Sequence, residues 1–384
     1  MDHTHLCWAE IDLDAIAWNV QAIRLHVGVN VEVMPAVKAN AYGHGVLPVS
    51  RAALQAGATR LAVHRLSEGV EIRQGGISAP VLLMGYTPPN GAEEIVRWQL
   101  TPSVMNPEVC HALSMAAVRG GIVVPVHIKV DTGMNRFGLL PDEVLDFVRY
   151  ARTLPGIRLE GIYTHFATAD ALDQTNIRKQ LSVFQDVLSA LTAAAITIPL
   201  IHTANSGAIM RLPEGHFNLV RPGIAFYGMH PSSEWQPVFE IHPALSLKSR
   251  VVRLRNLPVG AGISYGRTYI TEKPTWAALV PVGYGDGYHR ILSNRSQVLV
   301  RGQRAPILGR VCMDQFVIDV THISDVQVDD EVCLVGFQDG AHISAEEVAN
   351  WAGTINYEVT TSLLPRVQRI YKQGGEVVEM QTST

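Results

Sequence analysis

Between residues 31 and 220 the chain alternates between two textures. Short apolar runs at 31–37, 60–63, 80–84, 100–104, 124–130, 157–164, 200–204 and 217–220 are separated mostly by helix-like segments. This alternation restricts the fold more than any other feature, because a parallel strand is followed by a crossover helix that packs back on the sheet. The helix signals are local. Residues 46–56 end at Gly57, a good C-terminal cap. Pro89, Pro107 and Pro141 open three further helices, at the position where a missing N–H costs least. In 176–195 the apolar residues Ile177, Leu181, Phe184, Val187, Leu188 and Leu191 fall on one stripe. About eight such units predict an α/β fold, a parallel (β/α)8 barrel. A doubly wound open sheet competes, weakened because no G-x-G-x-x-G follows the first strand.

Near Ile241 the pattern changes. Residues 245–254, 276–282, 297–301, 311–320 and 331–335 read as strands between turns rich in Gly, Pro, Asn and Asp. One helix at 344–351 is capped by Ser344. The reading is a barrel over 1–240 followed by a mostly β domain over 241–384. A strand at about 7–13 is expected to pack with the second domain, and Asp14 to cap the helix after it.

The composition bounds the function class. An apolar fraction of 47% and a charged fraction of 17% support a large core and argue against disorder. A net charge of −4 without an Arg/Lys run gives no sign of nucleic acid. The four cysteines show neither metal nor disulfide spacing and fit a reducing compartment. The first residues lack a signal-peptide pattern, and no apolar stretch is long enough for a bilayer span. A soluble cytoplasmic protein is expected.

A barrel keeps its chemistry after the C-terminal ends of its strands. Those positions hold Lys38; Lys129, Asp131 and Arg136; His165; Asn205-Ser206-Gly207; and Arg221-Pro222-Gly223-Ile224. Ser206, Gly207 and Gly223 suit the phosphate site that barrels build after strands seven and eight. A lysine and a phosphate cradle in one mouth point to pyridoxal phosphate, held through its aldehyde by Lys38. Arg221 is the nearest candidate for the ring nitrogen. An arginine keeps its proton, so the ring stays a weaker electron sink, which favours racemisation over transamination. Taken singly, each residue has an ordinary alternative. His165 suits a core histidine, Arg136 a solvated side chain, and 205–207 a turn. His44, His165 and His202 lack the close spacing of metal ligands, so no metal is expected. The joint occurrence argues for a site.

Several stretches then carry a resemblance. They are Ala36-Val37-Lys38-Ala39-Asn40-Ala41-Tyr42-Gly43-His44-Gly45, Lys129-Val130-Asp131-Thr132-Gly133-Met134-Asn135-Arg136-Phe137-Gly138, Gly161-Ile162-Tyr163-Thr164-His165, His202-Thr203-Ala204-Asn205-Ser206, Arg221-Pro222-Gly223-Ile224, Gly262-Ile263-Ser264-Tyr265-Gly266, Pro281-Val282-Gly283-Tyr284-Gly285-Asp286, Cys312-Met313-Asp314 and Asn356-Tyr357-Glu358. Over nearly its whole length the chain resembles the bacterial alanine racemases, fold-type III pyridoxal phosphate enzymes. The resemblance implies that L- and D-alanine are interconverted by two bases in a homodimer with shared sites, supplying D-alanine for peptidoglycan. Lys38 is then the cofactor lysine and the base for the D-enantiomer, and Tyr265 of the partner subunit the base for the L-enantiomer. A tyrosine begins near pKa 10 and needs cationic or hydrogen-bonded neighbours, a setting assigned to His165 and Arg221. Tyr42, Ser206, Gly223, Ile224 and Tyr357 correspond to phosphate contacts, with Asn205 beside them. Arg136 meets the cofactor's phenolic oxygen and the substrate carboxylate, Met313 contacts that carboxylate through its backbone, and Tyr284 is a further substrate contact. Lys129 matches a lysine that is often carbamylated and orients Arg136. Asn135 stands where many relatives have Gly, and Gly207 where Ala is common; His64 and 360–364 are also less usual. Tyr357 favours alanine over serine. A serine-active or broad-specificity racemase is the alternative, with a decarboxylase and a monomeric carrier behind it.

Overall fold

The structure, a computed structural model, describes residues 6–381. These fall into two compact units. One comprises Ile16–Ala41 and Val46–His242; the other comprises the residues up to 15, the short insert Tyr42–Gly45, and the chain from Pro243 on.

The first strand, β1 (Cys7–Asp12), belongs to the second unit. The helix Leu13–Val27 follows it and is capped by Asp12, not Asp14. Oδ1 of Asp12 accepts the N–H groups of Asp14 and Ala15 at 2.9 and 3.0 Å. Asp14 lies inside the first turn, where its carboxylate accepts from the backbone of Gly374.

The larger unit holds eight short parallel strands: β2 (Glu32–Val33), β3 (Leu61–Val63), β4 (Val81–Leu83), β5 (Thr101–Val104), β6 (Val124–Lys129), β7 (Ile157–Tyr163), β8 (Leu200–His202) and β9 (Leu219–Val220). Strands β3 to β8 pair in chain order, and β2 pairs with β9. Backbone bonds close the ring. Val37 donates to Ala62 at 2.8 Å and Ala62 to Pro35 at 2.9 Å, while Arg221 donates to Ala204 at 2.9 Å. The expected barrel is therefore formed, with strands shorter than the apolar runs that signalled them.

The helices follow their local cues. Asn106 accepts from Val109 N–H at 2.9 Å and Pro107 starts the helix Pro107–Arg119. The segments opening at Pro89 and Pro141 begin as single 3-10 turns before the helices Ala92–Arg97 and Val144–Thr153. On the helix Thr175–Ala193 the stripe Ile177, Leu181, Phe184 is buried. Ile177 and Leu181 pack with Ala204, Ile209 and Val220. Each such side chain contributes about 1.5–3 kcal/mol by leaving water.

The second unit is mostly β. Its strands are β10 (Leu245–Arg250), β11 (Arg253–Leu257), β12 (Gly262–Ile263), β13 (Tyr269–Ile270), β14 (Thr275–Val280), β15 (Gln297–Val300), β16 (Gln303–Leu308), β17 (Phe316–Asp319), β18 (Glu331–Gln338), β19 (Ala341–Ile343), β20 (Gln368–Gln373) and β21 (Glu376–Gln381). All but β12 and β13 join one sheet, in which β1 lies antiparallel to β10 and parallel to β20. Residues 245–254, expected as one strand, are two. The chain changes partners there, Val251 N–H donating to Asp330 and Val252 N–H to Leu279. Two helices follow, Ala345–Ala352 with Ser344 as its cap, and Asn356–Thr361, for which no expectation existed. Among the described residues no helix is long and apolar enough to cross a membrane.

Candidate active site

Lys38 stands where the first barrel run ends, and the chain then does something costly. Ala39, Asn40, Ala41 and Tyr42 all have φ between 51 and 53°, one left-handed turn without a glycine. Such backbone costs roughly 1–2 kcal/mol per L-residue, so the surroundings must hold it. Glu68 does much of this. Its Oε1 accepts the N–H of Ala39 at 2.7 Å, and its Oε2 accepts those of His64 and Arg65, each at 2.8 Å. Oδ1 of Asn40 accepts the N–H of Val46 at 2.8 Å, which ties the turn to the next helix. The turn delivers Lys38 into a cavity of about 330 Å³ shared with His64, Lys129, Arg136, Tyr163 and His165. Burial, then the Arg136 charge, lowers the Lys38 pKa, partly offset by Glu68.

Arg136 is placed by a loop folded around Asp131. Oδ1 of Asp131 accepts from Gly133, Met134 and Asn135 at 2.9, 2.9 and 3.0 Å, and Oδ2 from Arg136 and Phe137 at 3.0 and 3.4 Å. Burial raises this carboxyl's pKa, but the backbone bonds outweigh it and hold the group below its usual value. Asn135 has φ 53°, the left-handed region that Gly and Asn enter most easily. Lys129 lies 4.9 Å from the Phe137 ring and 5.6 Å from that of Tyr163, and its amine donates to no acceptor among the described residues. Burial and Arg221 bring its pKa down to about 8. No carboxylate lines the cavity among the described residues. Such a site suits an anionic ligand.

Arg221 is 3% exposed. Its Nη1 donates to Nδ1 of His202 at 2.7 Å, and its Nη2 to the carbonyls of Thr164 and Thr203 at 2.7 and 3.0 Å and to His165 Nδ1 at 3.4 Å. Burial brings its pKa down to about 10, so it remains a cation at neutral pH. Burial, with Arg221 and Lys129, holds His165 well below the usual histidine value. With Nδ1 of His165 facing an Arg221 N–H, this setting favours the neutral imidazole and leaves Arg221 as the cation of the pair. Beside them, Ser206 Oγ accepts the N–H groups of Gly223 and Ala225 at 2.9 and 3.2 Å. Asn205 is occupied locally, capping the helix Ser206–Arg211 through Ala208 N–H at 3.1 Å. The N–H groups of Gly207 and Ile224 meet no acceptor among the described residues. Gly207 is required here, since a Cβ would lie 2.4 Å from the carbonyl oxygen of Ala169. A hydroxyl, two N–H groups without an acceptor among the described residues, a buried guanidinium and a lysine of lowered pKa fit pyridoxal phosphate.

The second unit assembles the remaining residues in two groups. Tyr42 and Tyr357 bring their rings to 5.9 Å. Gly43, next to Tyr42, admits no side chain, because a Cβ would meet Thr360 O at 2.0 Å. Tyr265 stands on a tight turn in which Ser264, Gly266 and Arg267 all have positive φ. Ser264 Oγ donates to Arg310 O at 2.7 Å, Tyr284 N–H to Cys312 O at 3.0 Å, and Gly285 N–H to Met313 O at 2.8 Å. Tyr265, Tyr284 and Met313 thus sit on linked loops and are 76%, 40% and 53% exposed.

Sequence reasoning singled out neither Glu68 nor the work of Asp131, and it passed over His127 and Glu160. The run of glycines and polar residues after Asp131 was the available signal for a loop wound on a carboxylate. Nothing local announces the others.

The comparisons agree over almost the entire chain. The family profile described as "Alanine racemase, N-terminal domain" matches residues 11–231, and "Alanine racemase, C-terminal domain" matches 244–371. The chain is 48% identical to an alanine racemase of Desulforamulus reducens over 366 residues, 95% of this chain and 98% of that one. It is 46% identical to one of Halothermothrix orenii over 369 residues, 96% and 97% of the two chains. Among solved structures, the alanine racemase of Bacillus anthracis with bound L-Ala-P superposes with a TM-score of 0.93 at 41% identity, covering 98% of this chain and 97% of that one. One from Clostridium difficile gives 0.95 at 36% identity, covering 99% of each.

Proposed function

The chain belongs to the alanine racemase family, and we propose that it interconverts L- and D-alanine with two bases, Lys38 on one face of the substrate and Tyr265 of the partner subunit on the other. Pyridoxal phosphate, when bound, supplies an electron sink for charge at the substrate's α-carbon. The residues of this chain do the rest. Lys38, with its lowered pKa, has a neutral fraction to accept a proton at Nζ. Arg136 aims a guanidinium at the substrate carboxylate, a pairing that suits bidentate geometry. Arg221 would face the ring nitrogen as a donor that keeps its own proton, so that the cofactor would supply only a weak sink. A proton lost to one base is then returned promptly by the other. Ser206, Gly223 and Ile224 are assigned to the phosphate, with Asn205 shaping that loop, and the family resemblance adds Tyr42 and Tyr357 as phosphate contacts and Met313 and Tyr284 as substrate contacts.

The observation that carries this reading is the joint placement of Lys38, Arg136, His165 and Lys129 around one cavity with no acid in its lining. The exposure of Tyr265 supports its service to a second copy, and with it a homodimer. The barrel unit is assigned to cofactor binding and the mostly β unit to supplying Tyr265. Lys129, its pKa lowered to about 8 and its amine without an acceptor among the described residues, is suited to carbamylation, which would give Arg136 an anionic partner. Four free cysteines suit the cytoplasm, and the product would serve peptidoglycan synthesis.

The test is turnover of L-alanine and L-serine side by side, read as D-product by coupled D-amino acid oxidase with pyridoxal phosphate present. Strong alanine and weak serine conversion is expected. Comparable serine conversion would replace this reading by a broad-specificity racemase, despite Tyr357.

A further inference from the structure

A line of buried polar side chains runs through the barrel, and the chemistry above uses only its last member. Nη1 of Arg221 lies 2.7 Å from Nδ1 of His202. Nε2 of His202 lies 2.8 Å from Nδ1 of His127 on β6. Nε2 of His127 lies 3.2 Å from Oε2 of Glu160 on β7. Glu160 also takes Arg60 Nη1 on Oε2 at 3.0 Å and Arg158 Nη2 on Oε1 at 3.2 Å.

The hydrogen-bond directions are forced. A guanidinium only donates, so Nδ1 of His202 accepts and its proton sits on Nε2. That makes Nδ1 of His127 an acceptor and places its proton on Nε2, facing a carboxylate that only accepts. Neither ring has a place for a second proton. On His202 it would face a guanidinium N–H, and on His127 it would face the Nε2–H of His202. The environment agrees. Burial and Arg221 hold His202 well below the usual histidine value, and burial lowers His127. Burial raises Glu160, but the His127 bond and Arg60 outweigh it and bring it down to about 2.

The backbone makes room for this line. A Cβ on Gly161 would lie 2.4 Å from Nδ1 of His127, and the β6–β7 register shifts between Val126 and His127. His202 stacks on Tyr163 at 4.7 Å, and the same ring lies 5.0 Å from the Arg221 guanidinium carbon.

We propose that Glu160 is a positioning residue for Arg221: the one-way chain from Arg221 through His202 and His127 ends on its fixed negative charge, which orients the guanidinium and stabilises its protonated form. This rests on the reading of Arg221 as the ring-nitrogen partner. A charge at the far end of a polarised chain strengthens each bond along it.

The experiment uses holoenzyme labelled with 15N in the histidine rings, as wild type, Glu160→Gln and Arg221→Gln, with cofactor absorbance and turnover recorded alongside. Wild type should show a protonated Nε2 and a bare Nδ1 at both His127 and His202. Glu160→Gln should move the ring-nitrogen signals of both, including His202, which Glu160 does not touch. It should also change the cofactor absorbance and reduce turnover on the order of tenfold, the lower end of what losing the carboxylate partner of a metal-ligating histidine costs. A proton on Nδ1 of His202 in wild type overturns the proposal, as does a Glu160→Gln enzyme altered at His127 alone. If that variant does not fold, Glu160→Asp, which withdraws the carboxylate by one methylene, takes its place, and an unmoved His202 signal there is equally fatal. An Arg221→Gln enzyme with unchanged cofactor absorbance refutes Arg221 as ring partner while leaving the Glu160 result to stand on its own.

Discussion

The backbone N–H of Arg136 donates to Oδ2 of Asp131 at 3.0 Å, one of five N–H groups this single carboxylate gathers from the loop. Position and charge are thereby coupled. Asp131→Asn removes the charge and leaves one acceptor oxygen for five donors. The variant should lose about 1.5–3 kcal/mol, the range for bonds to a charged group, and raise the KM for alanine more than it lowers kcat. Its stability should also respond differently to acid. The folded-state pKa of Asp131 is depressed, so its contribution is present above the unfolded value of about 3.9 and is lost as pH falls through the folded one. Chemical denaturation from pH 7 to about pH 2 should show a constant gap between wild type and variant down to about pH 4, narrowing below it. Curves that stay parallel would remove Asp131 from this role.

Asn135 tests the backbone next to it. With φ at 53°, Asn135→Gly should leave the melting temperature within a degree or two, while Asn135→Ala should cost about 1 kcal/mol. Equal melting temperatures for the Ala and Gly variants would show that the conformation exerts no selection there.

The two bases separate in isotope exchange. Lys38→Ala should abolish cofactor attachment and turnover in both directions. Tyr265→Phe should keep the cofactor colour and lose most exchange of the α-proton from L-alanine. Equal residual exchange from both enantiomers would contradict the assignment of one base to each face.

Gly161→Ala probes the buried line. The added methyl meets the His127 ring at 2.4 Å, well inside contact distance. Overpacking of this kind costs roughly 1–3 kcal/mol, so urea unfolding should shift accordingly, with turnover falling as the ring is displaced. An unshifted midpoint would mean that the interior has slack that the structure does not show.

Lys129 is tested by its modification. Protein equilibrated with 13C-bicarbonate above pH 8 should give a carbamate resonance that is missing from Lys129→Gln. The neutral amine fraction that reacts is what a pKa of about 8 provides. Identical spectra for the two proteins would exclude it.

Much of the site was legible before any fold was known. Lys38, Arg136, Ser206 and Arg221 each follow a barrel strand, and strand order alone brings strand ends to one mouth. The (β/α)8 pattern itself is a matter of local periodicity, and periodicity belongs to the chain. The strand break at Val251 and Val252 was not legible, because it arises where the chain exchanges β18 for β14 as partner. Asp12 displaced Asp14 as a cap because both are aspartates, a residue type that caps well, so local propensity could not choose between them.

What the sequence determined by itself is therefore the alternation that builds the barrel unit and the residues at its strand ends, since propensity, caps and spacing act within a few residues. Tertiary structure alone decided what holds those residues at work. Glu68 reaches a left-handed turn 29 residues away, and Glu160 reaches Arg221 only through two rings on neighbouring strands. Proton positions along that line depend on which nitrogen faces which neighbour. That is a property of three-dimensional contact, and no spacing along a chain encodes it.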